Sequence, residues 1–178
     1  MNQVNEWSPW GKAQHTTAYG KGIVFVETAR HGGYKLSKEV NERIPQPFRN
    51  ESGWYEEDLE AIKVHHFINE VAHTDFTHIL KDQWPLEWEQ YTGLLPSLEE
   101  SSVLRKRAFE RDNYNRYLVT SAFGEWHERV PNGKVGVYAK RESDKSINCF
   151  LVNRKHYDNR DGVYVIDEEV DEEVEFVF

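Results

Sequence analysis

The chain has 178 residues, the usual size of one domain and enough to bury a core without metal or disulfide staples. Lys and Arg total 22 against 31 Asp and Glu, a net charge of -9. That balance leaves no overall basic footprint for a phosphate backbone and disfavours direct nucleic-acid binding. The single cysteine, Cys149, excludes an intramolecular disulfide. No apolar run approaches the ~20 residues of a membrane span, and "MNQVNEWSPW" lacks the basic start and apolar run of a signal peptide. A cytoplasmic, reducing setting with no membrane association is the expectation.

The first element is an expected β-hairpin. "AQHTTAY" and "IVFVETA" are rich in β-branched and aromatic residues and flank Gly20-Lys21-Gly22, whose glycines permit positive φ. "YKLS" is read as a third short strand, and "KEVNER" as one or two helical turns. Pro45 and Pro47 then break regular structure. "GWYEEDLEAIKVHHFINEVAHTDFTHIL" reads as helix. Tyr55, Leu59, Ile62 and His66 form one stripe, and Val64, Phe67, Ile68 and Val71 a second. Glu56, Glu57 and Asp58 would sit in its first turn, where the helix dipole favours negative charge. "KDQWPLEWEQYTGLLP" is a connector. Ser97 and Glu100 make a capping box that opens a helix over "SLEESSVLRKRAFER".

The remainder alternates short β-like runs with turn chemistry: "NRYLVTSAF", "EWHERV", "KVGVYAKR", "NCFLVN" and "GVYVIDE". Asn132-Gly133 is the strongest hairpin signal. The expected fold is therefore α+β: an N-terminal β-hairpin, two or three helices in the middle, and a C-terminal antiparallel β-meander. No linker or repeat interrupts it, so residues 1–178 are read as a single domain, with 168–178 as an acidic C-terminal tail or edge strand.

"TARHGG" follows the second strand of the hairpin. A double glycine there can aim backbone donors at an anion, but the nucleophile elbow, the Walker loop and the dinucleotide fingerprint are all absent. The plainer reading is a tight turn in which Gly32 or Gly33 takes positive φ. If the chain is an enzyme, the site residues are His31, Arg30, Arg49, Glu56, Glu57 and Asp58. Arginines would hold phosphate or carboxylate, and a histidine or glutamate would serve as base. That reading requires "HGG" and "WYEED" to meet in space. His73, Asp75 and His78 have a workable metal-ligand spacing, but no H-E-x-x-H motif or cysteine cluster supports them, so neither metal nor cofactor is expected. Cys149 reads as a buried strand cysteine. "RKRAFER" with "NYNRY", from Arg105 to Tyr117, is a local basic and aromatic patch set against an acidic whole.

Acidity concentrates in "VIDEEVDEEVEFVF", where Asp167, Glu168, Glu169, Asp171, Glu172, Glu173 and Glu175 crowd together. A charged edge strand resists aggregation. The same carboxylates can dock on a basic partner, such as a protein that grips nucleic acid. The candidate partner-binding residues are Asp167, Glu168, Glu169, Asp171, Glu172 and Glu173, with Trp54 and Tyr55.

"WGKAQ", "GIVFVETARHGGYKLS", the P-x-x-x-R of "PQPFRN", and "GWYEED" together resemble a domain of unknown function found in phage and plasmid-borne proteins. "YLVTSAFGEWHERVPNGKVGVYAKR" and "FLVN" resemble that family's later block, so the resemblance runs from about Trp10 to about Asp167. It carries no catalytic residues and implies a mobile-element context. By analogy with small acidic phage proteins, the expectation is a non-enzymatic inhibitor of a host defence or nucleic-acid-handling protein, of anti-CRISPR or anti-restriction type. The alternative is a small hydrolase or nucleotide-modifying enzyme built on the two motifs.

Overall fold

The computed structural model describes residues 7–71 and 74–175. The chain packs as two compact units, Met1–Arg105 and Lys106–Phe178. The sequence, read as one domain, has no linker at that division because the division falls within a helix.

In the first unit, β1 (Trp7–Ser8) and β2 (Gly11–Lys12) form a two-stranded antiparallel ribbon. The expected hairpin follows as β3 (His15–Gly20) and β4 (Ile23–Glu27), turning through Gly22 at φ +80°. β5 (Gly32–Leu36) pairs antiparallel with β4. α1 (Lys38–Asn41) starts at Ser37, whose side chain accepts the Val40 N–H. A 3-10 turn at Gln46–Phe48 follows Pro45 and contains Pro47. β6 (Trp54–Glu56) completes a four-stranded sheet in the order β3-β4-β5-β6. α2 (Ala61–Phe67), α3 (Thr77–Gln83) and α4 (Pro85–Thr92) follow, α4 ending on Gly93 in the left-handed region. The core lies among Ile23, Tyr34, Leu36, Ile44, Phe48, Tyr55, Val64, Ile68 and Leu80.

The expected connector is helical over Pro85–Thr92, the expected long helix divides into α2 and α3, and two further expectations change here. "GWYEED" is a strand and a turn rather than a helix start. Gly53 takes φ +68°, its carbonyl accepts the Leu36 N–H at 2.9 Å, and Trp54 and Tyr55 lie opposite Lys35 and Tyr34. Aromatic residues suit a paired strand, and the ladder with β5 outweighs the dipole preference of three acids. Helix begins only at Ala61, so Leu59 is exposed rather than on a buried stripe. The second change concerns Ser97. Its capping box forms, with the Ser97 N–H donating to Glu100 Oε2 at 3.0 Å and the Glu100 N–H to Ser97 Oγ at 3.3 Å. It closes a turn, however. α5 (Ser102–Asp112) starts after Ser101, whose hydroxyl accepts the Leu104 N–H, while Asp82 accepts the Ser102 N–H.

The second unit is the meander. β7 (Tyr117–Phe123), β8 (Lys134–Arg141) and β9 (Ile147–Asn153) pair antiparallel in sequence, α6 (Arg154–Asp158) follows β9, and β10 (Glu172–Val174) joins β9, giving the order β10-β9-β8-β7. "EWHERV" is turns rather than strand, and "GVYVIDE" contributes a single bridge, Leu118 to Val165. The fourth strand comes instead from the acidic tail, with Glu172 opposite Leu151 and Glu173 opposite Phe150. Residues 176–178 of that tail lie outside the described residues. Tyr117, Val135, Val137, Phe150, Val152 and Ile166 form this unit's core. The expected α+β class is thus observed, with its N-terminal hairpin and C-terminal antiparallel sheet. Among the described residues, no helix is long and apolar enough to cross a membrane.

Candidate functional site

The two motifs meet. Glu27 ends β4, and Thr28 closes the turn that follows: its hydroxyl donates to the His31 carbonyl at 2.7 Å and accepts the His31 N–H at 3.2 Å. The chain re-enters the sheet at Gly32. Gly33 lies opposite Glu56, and the Glu57 N–H donates to the Gly32 carbonyl at 2.9 Å. This pairing brings His31 Nδ1 to 3.6 Å from Glu56 Oε1 and 4.0 Å from Glu57 Oε1. One donor atom from each residue lies within 4.8 Å of the other two.

The double glycine is not the expected positive-φ turn. Both residues are strand, and the left-handed glycines nearby are Gly22 and Gly53. What the positions require is close approach. A Cβ on Gly32 would stand 2.7 Å from Glu57 Oε2 and 3.1 Å from Phe25. A Cβ on Gly33 would collide with the Trp10 ring and the Tyr55 carbonyl. Trp10 in turn packs edge-on against Trp54 at 5.6 Å, with the Lys35 ammonium 5.0 Å from the Trp54 ring. Burial pulls the Lys35 ammonium below its ordinary range.

The imidazole is 55% exposed, and the Glu56 and Glu57 side chains are 29% and 36% exposed. Among the described residues, neither carboxylate pairs with Lys or Arg; Glu56 Oε2 also accepts the Asp58 N–H at 3.1 Å. Arg30 lines a neighbouring cavity of about 500 Å³ with Trp10, Lys12, Gln14 and Thr28. The arrangement can move a proton or hold a cation in the open; it does not by itself exclude water.

The other sequence candidates separate. Arg49 is a backbone clamp: its guanidinium donates to the Ile44 carbonyl at 3.0 and 2.9 Å and to the Glu42 carbonyl at 2.8 Å, satisfying carbonyls just past α1. Asp58 is exposed beyond the strand. Tyr55 is fully buried and cannot face a partner. Its hydroxyl donates to Asn41 Oδ1 at 2.7 Å and accepts the Asn50 N–H at 3.0 Å, and burial pushes the phenol up to about 12. Trp54 is half-buried. Of the proposed metal set, His73 lies outside the described residues. Asp75 pairs with His66 at 3.7 Å, while His78 and Asp75 line a cavity of about 570 Å³ with Lys81, Asp82 and Arg105. Among the described residues, the metal-capable group is His31, Glu56 and Glu57.

The acidic tail is also not uniform. Asp167, Glu168, Glu169, Glu172 and Glu173 are exposed, but Asp171 is 5% exposed. Asp171 accepts the Tyr164 hydroxyl at 3.3 Å and the Asp167 N–H at 3.0 Å. Burial, reinforced by Asp171, raises the Tyr164 phenol to about 12. Burial likewise pushes the Cys149 thiol up, with Glu173 adding to it, which makes Cys149 a poor nucleophile. The basic patch is partly tied down: Arg105 donates to the Leu98 and Glu99 carbonyls, and Arg111 pairs with Asp112.

The sequence had no signal for Trp10 as the residue covering Gly33, since only the fold brings a ribbon over β5. No curated protein and no solved structure matches the chain. A family model, a domain of unknown function (DUF7007), matches residues 3–114. That span covers the first unit's described elements and α5, and it stops short of the later block that the resemblance had included. The His31 cluster lies inside the match and the acidic edge strand outside it, and the chain belongs to the DUF7007 family.

Proposed function

We propose that the chain is a phage or plasmid accessory protein that works by binding, inhibiting a host defence or nucleic-acid-handling protein in the host cytoplasm. The observation behind this reading is the exposed carboxylate row. Asp167, Glu168 and Glu169 occupy a turn, and Glu172 and Glu173 follow on β10 at the edge of its sheet. An edge strand leaves backbone groups unpaired on one side, and clustered negative charge favours a partner with a basic, nucleic-acid-gripping face. The test is phage plating on cells that carry a restriction or CRISPR system and express the chain. Rescue of plating is expected, with loss in a Glu168→Lys, Glu172→Lys, Glu173→Lys variant. Absence of rescue across such systems, with the chain folded and expressed, overturns the reading.

A second reading has its own observation, the convergence of His31 with Glu56 and Glu57 beside Arg30. It supports a small hydrolase acting on a phosphate or carboxylate ester. The openness of the site places it second, because catalysis gains from excluding water. Hydrolysis of an activated phosphodiester that vanishes in His31→Ala supports it; equal rates in the variant remove it.

A further inference from the structure

We propose that His31, Glu56 and Glu57 form a binding site for one divalent transition-metal ion. The proposal is independent of which reading of function holds, since it concerns occupancy rather than a reaction.

The first argument is geometric. The three donors come from two segments that the β5–β6 ladder aligns, and one donor from each lies within 4.8 Å of the others. An ion equidistant from three donors at that limiting spacing sits about 2.8 Å from each, so the side chains must draw in by roughly 0.6–0.8 Å to reach the ~2.0–2.2 Å of nitrogen and carboxylate bonds to zinc. Neighbouring strand residues normally point to opposite faces. Glu56 ends β6 and Glu57 follows it, yet both carboxylates turn to the same imidazole, and Gly32 leaves the space Glu57 occupies.

The second argument is charge. Two adjacent carboxylates share one spot, and among the described residues no Lys or Arg pairs with either. Like charges this close disfavour each other, and a dication removes the conflict.

The third argument is ligand chemistry. Imidazole with carboxylates suits manganese, iron, cobalt or zinc better than magnesium or calcium, which prefer all-oxygen shells. His31 and Glu57 are exposed and Glu56 is partly so, which leaves the remaining coordination positions to water.

The experiment is metal titration of the full chain with Mn²⁺, Zn²⁺ and Mg²⁺, followed by calorimetry, on wild type, Glu57→Gln and His31→Ala. The expected result is one equivalent of Mn²⁺ or Zn²⁺, at least tenfold weaker binding in each variant, and weaker binding of Mg²⁺. A direct readout needs no variant. Among the eight histidines, substoichiometric Mn²⁺ should broaden the His31 imidazole NMR signals first. The proposal is overturned if wild type binds none of the ions at millimolar concentration, if both variants bind as wild type does, or if broadening starts at another histidine.

Discussion

The Glu57 carboxylate lies where a side chain on residue 32 would be: a Cβ built on Gly32 stands 2.7 Å from Glu57 Oε2. The contact ties the first half of the candidate site to the second through a missing methyl group. Gly32→Ala should therefore push Glu57 off His31 as well as crowd Phe25. Overpacking of this kind costs roughly 1–3 kcal/mol. The expected outcome is a folded protein with a lowered denaturant midpoint and metal affinity reduced as in Glu57→Gln. Unchanged affinity would mean that Glu57 is not held there.

Much of the fold was legible because it follows local rules. Gly20-Lys21-Gly22 between two β-branched runs made the first hairpin, and Ser37 capped the short helix expected over "KEVNER". The acidic tail was open to an edge-strand reading, and part of it is one. "GWYEED" misleads because three acids after an aromatic pair suit a helix start as well as the end of a strand. Only pairing with β5, a tertiary event some twenty residues back along the chain, decides between them. Gly32 and Gly33 carry the same ambiguity. Glycine that permits positive φ and glycine that permits close approach have the same letter, and the tertiary neighbours tell them apart: Glu57 and Phe25 at Gly32, Trp10 and the Tyr55 carbonyl at Gly33.

Tyr55 was expected at a surface and is instead a buried link in the first core. Tyr55→Phe keeps the ring and removes the donor to Asn41 Oδ1, leaving a buried acceptor without that bond. The cost should be about 1–3 kcal/mol, read as a lower urea midpoint at unchanged slope. His31 chemistry should not change, because the ladder that positions Glu56 survives. A simultaneous loss of metal binding would show that β6 depends on the hydroxyl.

Acid sensitivity should trace in part to Arg43 and Glu70, which pair through two hydrogen bonds of 2.7 and 2.8 Å. The Arg43 guanidinium draws the Glu70 carboxyl from its ordinary 4.5 down to about 2. A carboxylate with a depressed folded-state pKa stabilises the fold above its ordinary pKa, and that contribution is lost as pH falls through the folded value. Stability measured from pH 6 to 2 should fall more steeply in wild type than in Glu70→Gln between 4.5 and 2. Both side chains are largely solvent-exposed, so added salt should shrink the difference. Parallel pH profiles for the two proteins would remove Glu70 as a contributor.

The acidic tail allows fold and function to be separated within a few residues. Asp171 is buried and holds the Tyr164 hydroxyl and the Asp167 N–H, so Asp171→Ala leaves two polar groups unpaired. It should destabilise by about 1–3 kcal/mol. Glu172 is next to it, exposed on β10, and reversal to Lys should leave stability within about 0.5 kcal/mol. If the carboxylate row is the docking surface, the ordering inverts for function. Glu172→Lys with Glu173→Lys loses only the exposed bond that Glu173 Oε1 accepts from Asn148 Nδ2 and should abolish rescue of phage plating at near-full stability, while Asp171→Ala should lose rescue only in proportion to the folded fraction. Thermal melts and plating on the same variants check both halves. If the charge reversals leave rescue intact, the row is a solvated edge that keeps β10 from pairing with another chain.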